Sequence, residues 1–171
     1  MTETADREAT ASDLVRRAKV PAAARALATL SAVDYEDGFL VAARAGARRS
    51  GEEWARATLE GAPEGLRRSL RRGWTALGLK LDRGDRDHSV LGWTLLHSDP
   101  HFALLGAESR IGMPAELLFK PEGDTLFFAT FVQQRNPLAK ALWAVIAPPH
   151  RRVVPYLLGR AASTASDVAA A

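Results

Sequence analysis

Four short apolar segments follow one another in the second half of the chain, and turn-forming residues separate each segment from the next. The breaks read Asp-Pro, Gly-Met-Pro and Pro-Glu-Gly-Asp, which are typical of tight turns. Connections this short join neighbouring strands that run antiparallel. The sequence therefore predicts an antiparallel meander whose strands cover residues 90–97, 102–109, 115–120 and 125–133.

A long amphipathic segment follows the meander. Asn136 and Pro137 are typical of a helix N-cap followed by proline at the first helical position. Apolar residues then recur at helical spacing as far as Leu158. Pro148 and Pro149 are expected to kink or interrupt this helix, because proline lacks the backbone donor and clashes with the preceding turn. This helix is the element that is long and apolar enough to cover one face of the sheet.

The first half of the chain predicts one strand and two short helices before the meander. Residues 33–43 have strand-like spacing, and Ser50 with Glu53 forms a capping box at the start of a helix. Pro63 starts a second helix, which has leucines on one side and arginines on the other. We interpret the arginine side as a solvated face, which needs no nucleic-acid or lipid partner.

Near the N-terminus, Ser12 is expected to cap a short helix that Pro21 closes. Residues 1–11 and 162–171 lack apolar periodicity, so we expect both to be disordered tails of a single domain at residues 12–161. The order is one strand, two short helices, four antiparallel strands and a long terminal helix. It predicts an α+β fold in which a curved antiparallel sheet surrounds the C-terminal helix.

Composition restricts the classes of function. Hydrophobic residues make up 47% and charged residues 25%, which is typical of a globular domain. The chain contains no cysteine, so disulfide bonds, thiolate catalysis and iron–sulfur clusters are excluded. A net charge of +3 is too small to indicate a nucleic-acid partner. The polar N-terminus and the lack of an apolar run of ~20 residues predict a cytoplasmic protein without a membrane span.

Several short motifs occur along this order of elements: Asp34-Tyr35, the helix of Trp54, Gly92-Trp93, Thr130-Phe131-Val132, Leu142-Trp143 and the run from Pro149 to Pro155. Together they resemble an uncharacterised bacterial family of the START-like, or SRPBCC, superfamily. The resemblance covers residues 33–160 and implies a helix-grip fold, shared with polyketide cyclases and lipid carriers, with a cavity between sheet and terminal helix. It implies no catalytic residues. The five strands that the sequence predicts are fewer than the full superfamily pattern has.

Five residues are candidates for the wall of such a cavity. Trp143 and His150 are seven positions apart, which places both on one face of the terminal helix. His150 is interpreted either as a proton donor or ligand anchor, or as a helix-capping or core histidine. Glu108 either acts as a base in the cavity or pairs with a neighbour at the surface. Thr130 lies on a phenylalanine-rich strand, and its hydroxyl is expected either to orient a ligand or to bond to the backbone. Trp93 is the fifth candidate for the cavity wall.

Other polar residues support no catalytic or metal site. His97, Asp99 and His101 lie close together at a turn, but no further ligand is spaced to complete a zinc site. Ser98 and Ser109 lack the Gly-x-Ser-x-Gly context of a catalytic serine, and the sequence has no phosphate-binding loop. The sequence therefore predicts neither a metal nor a cofactor.

Two functions fit these patterns. The first is a small-molecule binding domain, or a cyclase-like enzyme derived from one, with an apolar cavity of at least ~300 Å³. The second is a non-catalytic interaction module with a filled core, which forms a homodimer through the outer face of the sheet. Phe127 and Phe131 favour the second, because they alternate with Phe128 and Thr130 and the last strand therefore carries aromatic residues on both faces, as expected if a partner covers one face.

Overall fold

The computed structural model describes residues 14–43, 48–82, 84 and 87–168, with side chains described as far as residue 164. Ser12 and the expected tail at residues 1–11 lie outside these ranges. Within them, a curved antiparallel sheet packs against a long C-terminal helix. This arrangement confirms the predicted α+β, helix-grip fold class.

The sheet has seven strands among the described residues, in the spatial order β1-β2-β7-β6-β5-β4-β3. The strands are β1 (Val15–Ala18), β2 (Tyr35–Ala42), β3 (Ser89–Val90), β4 (Trp93–Ser98), β5 (Ala103–Ala107), β6 (Ala115–Glu122) and β7 (Thr125–Val132). All neighbouring strands are antiparallel. β2 pairs with β7 along its whole length, so the strand that precedes the two short helices lies next to the last strand of the meander.

Four helices accompany the sheet in the described part of the chain: α1 (Ala22–Arg25), α2 (Gly51–Leu59), α3 (Glu64–Ala76) and α4 (Pro137–Val168). The predicted capping box is confirmed, because Ser50 and Glu53 each accept a hydrogen bond from the backbone N–H of the other. Asn136 also caps α4 as predicted, since its Oδ1 accepts from the Ala139 N–H at 2.9 Å. No helix among these residues has the length and hydropathy needed to cross a membrane.

α4 runs through its prolines without a break. Pro148 and Pro149 are exposed, whereas residues on both sides of them are buried: Ala139, Trp143, Ala147, Val154, Leu158 and Ala161. Packing of both segments holds the helix together where proline removes backbone hydrogen bonds. The domain boundary expected at residue 161 falls inside α4. Part of the expected C-terminal tail, 162–171, is therefore helical, and Ala162 belongs to the core.

β1 corrects the short helix predicted after Ser12. Val15–Ala18 is extended and pairs with residues 38–41 of β2. Pairing with a strand edge supplies backbone hydrogen bonds along the segment, and this outweighs the intrinsic helical preference of its alanine and arginines. Pro21 precedes α1 instead of closing a helix. The two short helices α2 and α3 consequently follow the second strand, not the first.

The strand predicted at residues 90–97 is a hairpin. β3 ends at Val90, β4 begins at Trp93, and the two residues between them are Leu91 (φ 49°) and Gly92 (φ 93°). Two successive positive φ angles are typical of a type I′ turn. The sequence concealed this turn, because leucine rarely adopts a positive φ.

The outer face of the sheet is covered by residues 20–33, which we name the N-terminal strap. One buried cluster joins the strap to the strands: Val20, Ala24, Leu104, Leu118, Phe127, Ala129 and Phe131. Glu116 of β6 is buried there, and its carboxylate accepts hydrogen bonds from the Thr29 backbone N–H at 2.9 Å and from the Thr29 hydroxyl. The strap therefore covers the face that the homodimer hypothesis assigned to a partner.

Removal of the Glu116 carboxylate is expected to loosen the N-terminal strap. In Glu116→Ala both Thr29 donors lose their acceptor, so the free energy of unfolding should fall by about 1–3 kcal/mol. Glu122→Ala removes an exposed carboxylate from the same strand and is the matched control. Urea unfolding measures the loss, and hydrogen exchange at the Thr29 amide should accelerate. Equal stability of the two variants would contradict the anchoring role of Glu116.

Candidate functional site

A cavity of about 90 Å³ lies between the inner face of the sheet, α3 and α4. Its wall is largely apolar and includes Trp74 from α3, Leu117 from β6, Phe128 from β7 and Ile146 from α4. Side chains alternate between the two faces of each strand, and the cavity lies on the face opposite the N-terminal strap. The sheet thus has one face closed by the strap and another that borders the cavity.

Four of the five candidate residues lie at the cavity wall: Trp93, Thr130, Trp143 and His150. Trp143 is buried, and its ring centroid lies 5.3 Å from that of His150, as their spacing on one helical face predicts. Trp93 packs edge-to-face against Trp74 of α3, with centroids 5.4 Å apart. The terminal helix, the sheet and α3 each contribute an aromatic residue to the wall.

Glu108, the fifth candidate, lies outside the cavity, which corrects its predicted place in the pocket. It follows the end of β5 and has an exposed side chain, whose carboxylate lies 3.6 Å from the guanidinium of Arg135. Strand alternation places Glu108 on the same face as Leu104. Leu104 packs beneath the N-terminal strap, so that face is the outer one and not the one that borders the cavity.

A buried carboxylate lies behind the cavity wall. The side chain of Asp37 in β2 has 0% exposure, and the Tyr35 hydroxyl donates a hydrogen bond to its Oδ2 at 2.8 Å. His150 Nε2 lies 3.2 Å from the same oxygen, but the ring is not aligned for a hydrogen bond. Thr130 is the cross-strand neighbour of Asp37. We name Tyr35, Asp37, Thr130 and His150 the polar cluster.

The polar cluster favours an ionised Asp37. Burial by itself would raise the pKa of the Asp37 carboxyl group, because desolvation disfavours the charged form. The neighbouring His150, Tyr35 and Thr130 outweigh burial and hold this pKa below its ordinary value. Burial raises the pKa of Tyr35, and the hydrogen bond to Asp37 raises it further. At neutral pH the cluster therefore pairs an ionised acceptor with a neutral phenol donor.

Unpartnered polar atoms concentrate at the cavity. Among the described residues, seven buried side-chain nitrogen or oxygen atoms have no hydrogen-bond partner. Five of these belong to residues that line the cavity: Thr58, Trp93, Thr130, Trp143 and His150. A sixth is Oδ1 of Asp37, directly behind the wall. Buried polar atoms normally find partners, so this concentration needs an explanation specific to the cavity.

Sequence reasoning missed Asp37, although one signal indicated it. Tyr35, Asp37, Phe39 and Val41 alternate along β2, and the last two are apolar and buried. Period-two alternation places Asp37 on their face, which is the inner one. Its approach to His150 joins β2 to α4, and no local pattern predicts such a contact.

His97, Asp99 and His101 stabilise the turn between β4 and β5. His97 Nε2 lies 2.8 Å from Asp99 Oδ2, and Asp99 Oδ1 accepts a hydrogen bond from the His101 backbone N–H. The hydrogen bond with His97 and those from the backbone lower the pKa of Asp99 to about 2. Across the described ranges, no three histidine or acidic side chains are arranged to hold a metal ion.

The stability of the protein is expected to depend on the ionisation of Asp37. Because its folded pKa is depressed, Asp37 contributes fully above its ordinary pKa of 3.8, and this contribution is lost as the pH falls through the folded value. Asp37→Asn should lower the free energy of unfolding at pH 7 by about 2 kcal/mol, since the hydrogen bond from Tyr35 then goes to a neutral acceptor and the neighbouring His150 loses its negatively charged partner. The difference from wild type should narrow as the pH falls below 3.8 and through the lower folded value.

Chemical denaturation at several pH values, followed by circular dichroism, measures this difference. Asp99→Asn is the control, because it removes another carboxylate with a lowered pKa and leaves the polar cluster intact. Parallel pH profiles for wild type and Asp37→Asn would show that Asp37 does not contribute in this way.

Comparisons with known proteins identify no relative by sequence. No family model matches the chain, and curated proteins gave no match. Among solved structures, the chain is similar to CalU16 from Micromonospora echinospora, with 11% identity over 90% of this chain and 92% of that chain and a TM-score of 0.32. A TM-score this low does not establish a shared fold. The fold class therefore rests on the strand order and on the position of α4.

Proposed function

We propose that this protein is a START-like domain that binds a small amphipathic molecule in the cavity between the sheet and α4. The ligand has an apolar body and at least one oxygen atom that accepts hydrogen bonds. The observation that carries the proposal is the concentration of unpartnered polar atoms at an otherwise apolar wall.

The apolar wall supports binding driven by burial. Leucine, valine, methionine and aromatic side chains surround the cavity, and few polar groups interrupt them. Small-molecule sites commonly combine an apolar lining with a few convergent polar groups that fix orientation. The wall of this cavity has that composition.

The unpartnered donors indicate the chemistry of the ligand. The indole nitrogens of Trp93 and Trp143 are donors only, and neither has an acceptor within the described residues. An unsatisfied buried donor costs about 1–3 kcal/mol. A ligand carbonyl or ether oxygen would remove that cost, whereas a pure hydrocarbon would leave it. The wall therefore favours an oxygen-bearing ligand.

The size of the cavity restricts the ligand. At about 90 Å³ it is smaller than the ~300 Å³ that we predicted and smaller than the ~150 Å³ of an apolar cavity that binds benzene, so a ligand of two rings requires the cavity to widen. α3 has no fully buried residue, although Leu70, Trp74 and Leu77 line the cavity. A helix held this loosely can shift outward, and we propose that larger ligands enter by moving α3.

Superfamily membership is proposed from the motifs that carry the resemblance. Trp93, Thr130 and Trp143 belong to these motifs, and all three line the cavity. The alternative is a homodimer through the outer face of the sheet, which was suggested by the aromatic residues on that face. Phe127 and Phe131 are buried by the N-terminal strap of the same chain. We therefore propose no dimer through that face.

A matched pair of bicyclic probes tests the proposed function. Wild-type protein should bind 1-indanone, which carries one carbonyl, more tightly than indane, which has the same rings without oxygen. Trp143→Phe removes the indole N–H and keeps an aromatic ring, so it should weaken 1-indanone binding about fivefold to tenfold and leave indane binding nearly unchanged. Isothermal calorimetry measures both affinities.

Trp54→Phe is the control, because Trp54 is a buried tryptophan that is not among the residues that line the cavity. Its affinity for both probes should equal that of wild type. If neither probe binds wild-type protein at millimolar concentration, the proposed function is wrong. Native mass spectrometry of protein purified from its host would give the mass of a natural ligand.

A further inference from the structure

His150 is the one titratable side chain among the described residues that line the cavity. Its side chain is 16% exposed, and it lies on α4 next to Trp143. A ligand in the cavity therefore meets one side chain that can take up or release a proton, and this makes His150 the candidate for acid–base chemistry there.

Asp37 lies beside one of the two ring nitrogens of His150. Nε2 is the nitrogen nearest to the Asp37 carboxylate, at 3.2 Å. When the proton of the neutral ring is held there, Nδ1 keeps a free electron pair. The two groups are not aligned for a hydrogen bond without a ligand, and catalytic contacts often tighten only when a ligand binds. The carboxylate also stabilises the imidazolium that forms when the ring takes up a proton.

We propose that His150 is a general base that removes a proton from a carbon atom next to a carbonyl group of the bound ligand, with Asp37 as its positioning residue. This inference rests on the proposed function. The C–H bond breaks, the proton moves to the imidazole, and the electron pair passes to the carbonyl oxygen to give an enolate. Nothing is oxidised or reduced. Return of the proton to the same carbon, or to another one, completes the cycle.

The wall also offers a donor for the charge that develops on the oxygen. The Trp143 indole N–H is buried and unpartnered, and the Trp143 and His150 rings are neighbours. A ligand whose carbonyl oxygen accepts from this N–H would lie beside the neighbouring imidazole, because the two ring centroids are 5.3 Å apart. A fixed donor in an apolar space stabilises a developing enolate more effectively than water does. Base and donor therefore lie on adjacent side chains of one helical face.

Exchange of the acidic protons of 1-indanone tests the proposal with the probe used for binding. In deuterated buffer, wild-type protein should catalyse replacement of the protons on the carbon next to the carbonyl, which proton NMR follows directly. His150→Gln retains a hydrogen-bonding side chain but has no titratable ring. It should lower the catalysed exchange about 100-fold and leave the dissociation constant for 1-indanone within about twofold.

Asp37→Asn tests the positioning role separately. It should slow exchange at least about tenfold at unchanged affinity, a split between rate and binding that a merely structural residue would not produce. His97→Gln is the control, because it removes an exposed histidine that does not belong to the polar cluster. This variant should catalyse proton exchange at the wild-type rate. Circular dichroism confirms that each variant is folded.

The outcomes separate the two proposals. If wild-type protein binds 1-indanone but His150→Gln exchanges it equally fast, the general-base proposal is overturned and the proposed function stands. If Asp37→Asn exchanges at the wild-type rate, the positioning role fails. If the probe does not bind at all, the proposed function fails, and the general-base proposal fails with it.

Discussion

Packing of α4 across the inner face of the sheet is the contact on which the rest of the structure depends. It buries Trp143, Val154 and Leu158, and apolar burial of this kind supplies most of the free energy of folding. The same contact encloses the cavity and brings His150 to Asp37. The core and the candidate site therefore form together, and a change that displaces α4 affects both.

The polar cluster introduces a tension into this interior. A buried carboxylate carries a desolvation cost that well-packed apolar side chains of the same volume would not. Asp37 and His150 occupy positions where a purely structural domain would place such side chains, and several polar atoms at the wall stay unsatisfied. Local departures from good packing chemistry are expected at functional sites. The polar cluster is therefore the part of this core that we propose as a functional site.

The sequence predicted the parts of this structure that repeat or begin with a cap. Strand-like segments bounded by turn residues indicated the four strands β4 to β7, and helical spacing indicated α4. Ser50 and Asn136 marked the starts of two helices. β1 was missed because strand pairing, a long-range interaction, decided its conformation. The predicted location of Glu108 in the cavity was wrong for a similar reason. Alternation shows which residues of a strand share a face, but it cannot show which face the N-terminal strap covers. Asp37 meets His150 only through tertiary packing.

The N-terminal strap has a consequence for how the protein forms during synthesis. Thr29 precedes its acceptor Glu116 by 87 positions, and Ser31 precedes Gln133, which donates to its hydroxyl, by 102. Residues 20–33 thus leave the ribosome long before the strands that receive them exist. Contacts between such distant segments form slowly, because the intervening chain must first be ordered. The N-terminal strap is synthesised before the strands against which it packs. The nascent chain therefore carries an apolar segment that is exposed to solvent through most of translation.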